Sequence, residues 1–355
     1  MKRLLCGMII VLGLLNIGLF LLIPLANSKA GALQNVKTEW GAGILVVTRA
    51  AVKEDYKRAA SDGKVVVPLH PETVGILILA HGIHNHGYGE QVLDAIPRWN
   101  AEVLEAVKPL KRKYPLEVAF GMADPETIED AVRKLEHKNI TNVIAVPLFI
   151  SSHSPIIDNS RYILGLQEEL SPASTVKSLP RLKSKMRFTM TEALDDNPLV
   201  AEILLERARV LSIYPGQETV ILVGHGPNDE NTNKLWLNDI EKLASFVREK
   251  GGFKEAKAAT WRSDAPPSVK EKAAQELRKM VERDGRVIVI PHLLASGGVE
   301  GEITEILKGL SYIYNGKTLL PHQNITKWIE IQVEKEIMKL RGNKGEDQSL
   351  LPYMF

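Results

Sequence analysis

Short apolar runs at regular intervals predict the strands of a parallel sheet. They span residues 74–80, 116–120, 142–150, 219–226 and 286–291. Continuous apolar runs of this length are typical of parallel strands buried on both faces. A single run of this kind would also be compatible with a segment of a buried helix.

Between these runs, apolar residues recur every three or four positions, which predicts amphipathic helices. They cover residues 91–111, a segment from Asp124 through Leu135, a segment from Asp196 to Leu211, and residues 325–340. Aspartate caps helix N-termini and proline suits the first turn, so Asp124-Pro125 fixes one start. Strands that alternate with helices predict an α/β fold with helices on both faces of a parallel sheet.

The pattern occurs twice. His225 follows His81 by 144 residues, and Pro291 follows Pro147 by the same interval. A shared offset for two strand-and-turn motifs predicts an internal duplication, and hence two similar doubly wound parallel-sheet domains. The predicted segments are a leader at 1–30, an extension at 31–72, a first domain at 73–183, a second domain at 184–316, and a C-terminal helix and tail at 317–355.

The first thirty residues predict export. Lys2 and Arg3 precede an apolar run at residues 4–26, which as a helix would measure about 34 Å, enough to span a bilayer core. Ser28-Lys29-Ala30 fits a cleavage site, so a cleaved signal peptide and an uncleaved anchor both remain open. We expect a periplasmic or exported protein whose membrane contact is limited to residues 4–26 if they are retained.

Composition narrows the class of protein. With 355 residues there is room for about two domains. A net charge of +2, from 45 basic and 43 acidic residues, argues against a nucleic-acid partner. The single cysteine, Cys6, excludes disulfides within the chain and a thiolate-rich metal site. Composition does not determine the oligomeric state.

Histidines follow two of the predicted strands. His81 ends the first run and His153 follows the run at 142–150, so both belong at the carboxyl edge of one sheet, where α/β proteins bind ligands. Imidazole suits cobalt, nickel, iron and zinc, and it can also accept a proton near pH 7. His84 and His86, in the glycine-containing loop after His81, are further candidate ligands, with an incidental solvated role as the alternative.

The second half carries only part of this pattern. His225 repeats His81, but the position equivalent to His153 is Gly297, which predicts one working site. His292, directly after Pro291, is expected to have a core role. The sequence has no P-loop, no G-x-G-x-x-G opening a helix and no G-x-S-x-G nucleophile elbow.

Four segments together resemble the sirohydrochlorin cobaltochelatase family, the cobalamin-pathway branch of the class II tetrapyrrole chelatases. They are LILAHGIHNHGYGE (77–90), VAFGMADPETIEDAV (118–132), VIAVPLFISSHSPIIDNSRYILG (143–165) and VILVGHG (220–226). The resemblance covers roughly residues 74–309 and is weaker in the second half. It implies two chelatase-like domains facing each other across a cleft that binds a planar tetrapyrrole.

The resemblance implies that His81 and His153 hold the metal and take up pyrrole protons, with Gly82, Ser151 and Ser152 near the ring. The metal is a divalent substrate, cobalt first, with nickel and iron as alternatives, and no organic cofactor is expected. Many relatives have a glutamate where this chain has Gly121-Met122. Glu117, His84 and His86 are substitutes for that proton acceptor.

The predicted leader leaves a second class of function open, because tetrapyrrole synthesis is normally cytoplasmic. This alternative is an exported protein that binds a tetrapyrrole or a metal without catalysis. The duplication also suggests that one chain supplies what a smaller relative would build as a dimer.

Overall fold

A computed structural model of the chain describes residues 36–37, 43–44, 74–82, 98–172, 174, 176–283 and 285–342. The chain divides into two compact units, Met1–Val67 and Pro68–Phe355. The predicted leader at residues 1–30 and most of the extension lie outside the described residues. Within the described ranges, no helix combines the length and the apolar character needed to cross a membrane.

The first unit contributes two described strands. β1 (Val36–Lys37) and β2 (Gly43–Ile44) pair in antiparallel orientation, with Val36 opposite Ile44. β2 coincides with the start of an apolar stretch, Gly43 to Val47.

The second unit contains both halves of the duplication. The first half consists of β3 (Val74–Ala80), α1 (Arg98–Val107), β4 (Leu116–Phe120), α2 (Pro125–Glu136), β5 (Asn142–Leu148), α3 (Pro155–Ile163) and β6 (Arg187–Met190). The rest of the unit contains α4 (Pro198–Leu211), β7 (Glu218–Gly224), α5 (Glu230–Gly251), β8 (Glu255–Thr260), α6 (Pro267–Arg283), β9 (Arg286–His292), α7 (Val299–Ile306) and α8 (Gln323–Gly342). Short 3-10 turns lie at Leu110–Arg112 and Pro215–Gln217.

The strands form two parallel sheets. The first has the order β4-β3-β5-β6, with Ala80 opposite Leu148, and the second has the order β8-β7-β9, with Gly224 opposite His292. This confirms the predicted fold class and the predicted strands. β6 and β8 were not predicted. β6 lies just beyond residue 183 and completes the first sheet, and β8 pairs with β7 in the second. The domain boundaries themselves stay a prediction.

Local sequence explains where the predicted helices begin. The Asp124 side chain accepts a hydrogen bond from the backbone N–H of Glu126 at 3.1 Å, and Pro125 occupies the first turn of α2. Asn197 caps α4 in the same way, accepting from the N–H of Leu199 at 3.0 Å. Side-chain caps satisfy N–H groups that a helix leaves without partners, so both predicted starts are confirmed.

Among the described residues of the second unit, three apolar clusters form the core. Alternate residues of β3 point to opposite faces of its sheet, so Ile76 and Ile78 enter a different cluster from Leu77 and Leu79. The outer cluster of the first sheet involves α2 and α3, and that of the second sheet involves α6 and α7. The central cluster combines residues of both sheets with α1, α4, α5 and α8. The two halves therefore share one core.

The last helix returns to the first half. Thr326 of α8 donates a hydrogen bond from Oγ1 to the carbonyl of Ala106 in α1 at 2.7 Å. Trp328, 1% exposed, belongs to the central cluster together with residues of β3 and β5. The predicted amphipathic helix at 325–340 is confirmed, and its apolar face covers the core of both halves.

Candidate active site

Candidate site residues follow the strands at the carboxyl edge of the first sheet. His81 follows β3 directly, and His153 follows β5 after a short loop, as predicted. Met122, 58% exposed, follows the neighbouring strand β4, and Asp195 follows β6 on the other side. Because parallel strands end at the same edge, these residues flank one another along the sheet.

His81 lies beside an aromatic ring and faces charges from the second half. The His81 and Trp99 rings meet edge to face, with centroids 5.9 Å apart. Partial burial lowers the pKa of His81 below 6.5, and the nearby His225 lowers it further, whereas Asp264 acts in the opposite direction. Burial and His225 thus both favour the neutral imidazole of His81, the form that binds metal or accepts a proton.

Gly82 is required for close packing next to His81. A Cβ at this position would lie 2.5 Å from Oδ1 of Asn100 and 2.5 Å from Cδ1 of Phe120. Both distances are well inside van der Waals contact, so a larger residue would displace the loop that carries His81.

His225 occupies the corresponding position on the second sheet, directly after β7. Its Nε2 shares a hydrogen bond of 3.0 Å with the hydroxyl of Ser263 and lies 3.4 Å from Oδ2 of Asp264. Ser263 and Asp264 follow β8, the strand next to β7. Asp264 thus lies beside His225 and also acts on the pKa of His81 in the first half.

His153 contacts the second half as well. Its Nε2 lies 3.5 Å from Oδ2 of Asp239, which belongs to α5. Its backbone N–H donates to Oγ of Ser151 at 3.2 Å. The hydroxyl of Ser152 donates to Oδ2 of Asp195 at 2.7 Å, and the backbone N–H of Ser152 donates to the other carboxylate oxygen at 2.6 Å. The loop after β5 is therefore held from both sides.

Asp195 adopts an unusual conformation. Its φ is +44°, in the left-handed region that few residues other than glycine adopt. Burial raises the pKa of Asp195, while the two hydrogen bonds from Ser152 oppose that change. A strained backbone tied to the loop of a candidate ligand is consistent with a functional site.

Some predicted residues are not brought together by the described structure. His84 and His86 lie outside the described residues, so their part in the site stays a prediction. In the described ranges, no group of three or more His, Cys, Asp or Glu side chains could hold a metal ion. Convergence of His81 and His153 on one ion also stays a prediction.

Glu117 is excluded as the substitute proton acceptor. It pairs with Leu77 in the middle of the sheet, and its carboxylate bonds the Lys138 ammonium. It lies four positions before Gly121, which places it roughly 13 Å from that residue at the carboxyl edge. The sequence identified Glu117 only by its residue type. The strand register shows that it lies too far from the carboxyl edge to accept a proton at the site.

Comparison with known families decides what this arrangement represents. The CbiX family model matches residues 75–211 and again residues 219–336. The chain belongs to the CbiX family. The two matches coincide with the two halves of the duplication and confirm the chelatase family that the sequence resembled. The cobalt-specific branch and the export leader stay predictions.

Solved structures agree at the level of the fold. SirB from Bacillus subtilis with Fe3+ superposes with a TM-score of 0.55 at 16% identity, covering 78% of this chain and 100% of SirB. The sirohydrochlorin chelatase SirB from Bacillus subtilis subspecies spizizenii, in complex with cobalt, gives 0.52 at 14% identity with the same coverage. No curated protein gives a significant match to the sequence.

The CbiX duplication is asymmetric at Gly297, the position that corresponds to His153. A Cβ here would lie 2.3 Å from Cε3 of Trp99, so the indole ring packs directly on the glycine backbone. The same ring contacts His81. Glu102, in the next turn of α1, accepts a hydrogen bond from the N–H of Ser296 at 3.1 Å. In this CbiX protein, an aromatic side chain of the first half therefore covers the position of the missing second histidine.

Sequence reasoning missed three residues near the predicted ligands: Trp99, Asp239 and Asp264. Each reaches a histidine through packing between segments distant in sequence. Of the three, only Trp99 stood out in the sequence, where the spacing of apolar residues placed it on the buried face of the first predicted helix.

Proposed function

We propose that this CbiX protein inserts a divalent metal ion into sirohydrochlorin or a related tetrapyrrole, with cobalt as the first candidate and nickel and iron as alternatives. One observation supports this most directly: His81 and His225 directly follow equivalent strands, β3 and β7, of the two sheets, and His225 lowers the pKa of His81. We expect imidazoles on both sheet edges to line a slot that suits a flat macrocycle and the ion that enters it.

The reaction sets the requirements for the side chains. Insertion forms bonds between the metal and the ring nitrogens and breaks two N–H bonds, so two protons must leave the macrocycle. A neutral imidazole beside the ring can accept a proton or donate a lone pair to the metal. His81 meets this requirement because partial desolvation and the nearby His225 favour its neutral form. We assign the second ligand and acceptor role to His153.

Gly82, Ser151 and Ser152 are proposed to shape the edge of this slot. Gly82 permits close approach, since even a methyl group would collide with neighbouring side chains. The two serine hydroxyls are bonded to the His153 backbone N–H and to Asp195. Contact of these serines with the macrocycle stays a prediction.

The decisive experiment follows the absorbance of sirohydrochlorin mixed with Co(II) and the full-length chain. We expect His81→Ala and His153→Ala to slow insertion by about 100-fold or more, the usual contribution of a positioned acid or base. His137→Ala is the matched control, because His137 is exposed at the end of α2. Insertion by both variants at the wild-type rate would overturn the assignment. Tight binding of the macrocycle without faster insertion would instead support the non-catalytic exported binder.

We also propose that residues 1–30 direct export. The basic start and the apolar run at residues 4–26 support this. Cell fractionation of the full chain and of a variant lacking residues 2–30 tests it. An equal cytoplasmic fraction for both would contradict the proposal.

A further inference from the structure

His153 of the first half faces a carboxylate from the second half. Oδ2 of Asp239 lies 3.5 Å from Nε2 of His153, and the Asp239 side chain is only 11% exposed. The other carboxylate oxygen lies 3.3 Å from Nζ of Lys242, one turn further along α5. Each oxygen of Asp239 thus has a separate partner, one of them the candidate ligand.

We propose that Asp239 is a positioning residue that orients the imidazole of His153 towards the metal and the macrocycle, an inference that rests on the proposed function. A carboxylate beside Nε2 favours the tautomer that carries its proton there, and this leaves the lone pair on Nδ1. Carboxylates that accept the second N–H of a ligating histidine fix its ring and strengthen it as a ligand. The present 3.5 Å contact is long for a hydrogen bond, and such contacts commonly shorten once substrate is bound.

Asp195 is less suited to this role, although it also affects the surroundings of His153. Both of its oxygens already accept hydrogen bonds from Ser152, one from the backbone and one from the hydroxyl. Asp239 has no backbone donor of this kind among the hydrogen bonds of the described residues. Its Oδ2 is therefore the carboxylate oxygen directed at the imidazole.

This arrangement gives the second half a function in the site of the first. The position equivalent to His153 in the second half is Gly297, so that half lacks its own copy of the ligand. Through α5 it supplies a carboxylate to the ligand that remains.

Asp239 also takes part in a purely structural contact, and the experiment must distinguish that role from the positioning of His153. Lys242 links Asp239 to Asp196 at 2.9 Å, so losing the carboxylate could simply loosen this contact. Lys242→Gln removes that link and keeps the Asp239–His153 contact. Glu241→Gln removes a neighbouring exposed carboxylate from the same helix and serves as the matched charge control.

The test measures Co(II) affinity by calorimetry on the full-length chain, without macrocycle, together with the KM and kcat of insertion. The variants are Asp239→Asn, Asp239→Glu, His153→Ala and the double variant of Asp239→Asn with His153→Ala. We expect Asp239→Asn to weaken Co(II) binding by about 10- to 100-fold. It should have no further effect when His153 is already alanine, because a positioning residue acts only through its partner. Asp239→Glu should recover part of the loss, and the two controls should match wild type.

Two results would overturn the inference. One is an Asp239→Asn variant that binds Co(II) as Glu241→Gln does. The other is an equal loss in the presence and absence of His153, which would indicate a structural role only. Because cobalt binding is measured without the macrocycle, failure of insertion in the wild type would refute the proposed function and still leave Asp239 to be judged by the titration.

Discussion

The burial of the His292 imidazole predicts that the protein loses stability in mild acid. It ends β9, is 2% exposed, and its Nδ1 has no hydrogen-bond partner among the described residues. Burial lowers the pKa of His292 from 6.5 to about 4. The folded protein therefore holds this imidazole neutral at pH values where the unfolded chain protonates it.

The sign and size of this change in the free energy of unfolding follow from proton linkage. Above pH 6.5 both states are neutral and His292 has no effect on the pH dependence. As the pH falls from 6.5 towards 4, only the unfolded state gains the proton, so the free energy of unfolding decreases. The two pKa values give a loss of about 2 kcal/mol at pH 5, approaching about 3 kcal/mol near pH 4. Below that range the folded state is protonated too, and the loss no longer grows.

Urea unfolding of the wild type and of His292→Leu at pH 7 and pH 5 measures this effect. Leucine has a similar volume and no ring nitrogen to protonate, so we expect similar stabilities at pH 7. At pH 5 the variant should be more stable than wild type by about 2 kcal/mol. Carboxylates that titrate in the same range cancel in the difference. Parallel pH profiles for the two proteins would refute the reasoning.

Two further predictions concern contacts between segments distant in sequence. Gly297→Ala should cost about 1–3 kcal/mol in thermal unfolding, because its Cβ would lie 2.3 Å from Cε3 of Trp99. It should also weaken Co(II) binding through the Trp99–His81 contact. Arg286→Met should cost about 1–3 kcal/mol in urea unfolding at pH 7, since Arg286 donates at 2.6 Å to the fully buried Glu218.

The predictions for Gly297→Ala and Arg286→Met can each be tested by a second measurement. Gly297→Ala should cost little when Trp99 is alanine, and an equal cost in that background would rule out the collision.

For Glu218, burial favours a raised pKa, but hydrogen bonds from Ser212, the backbone and Arg286 outweigh it and lower the pKa below 4.5. That stabilisation is present above pH 4.5 and is lost as the pH falls further, so the cost of Arg286→Met should shrink in acid. A constant cost down to pH 3 would contradict this.

The fold could be predicted largely because its signals are local. The uninterrupted apolar run at Val74–Ala80 requires burial on both faces, and the caps at Asp124 and Asn197 are fixed by residues within one helical turn. β6 escaped prediction because Arg187–Met190 is a four-residue strand at the sheet edge and none of its residues is fully buried. A short, partly exposed strand has neither a continuous run nor a clear alternation.

The site could be predicted only in part, because its partners come from packing. The strand order places His81 and His153 at one edge, and sequence is sufficient for that. In contrast, Asp239 lies in a helix where a polar residue would ordinarily face solvent, and only the packing of α5 against the β5 loop brings it to His153. Gly297 could be recognised as a missing ligand, whereas the ring of Trp99 on its backbone could not.

The return of α8 to the first half affects how the chain is made. Glu330 and Glu334 of α8 bind Lys113 at 2.7 and 2.8 Å, and Trp328 fills the core beside β3 and β5. During synthesis, the ribosome must release about 200 further residues after β5 before this helix can close that core. The growing chain therefore carries an open apolar surface until α8 has been made, a state that chaperones recognise.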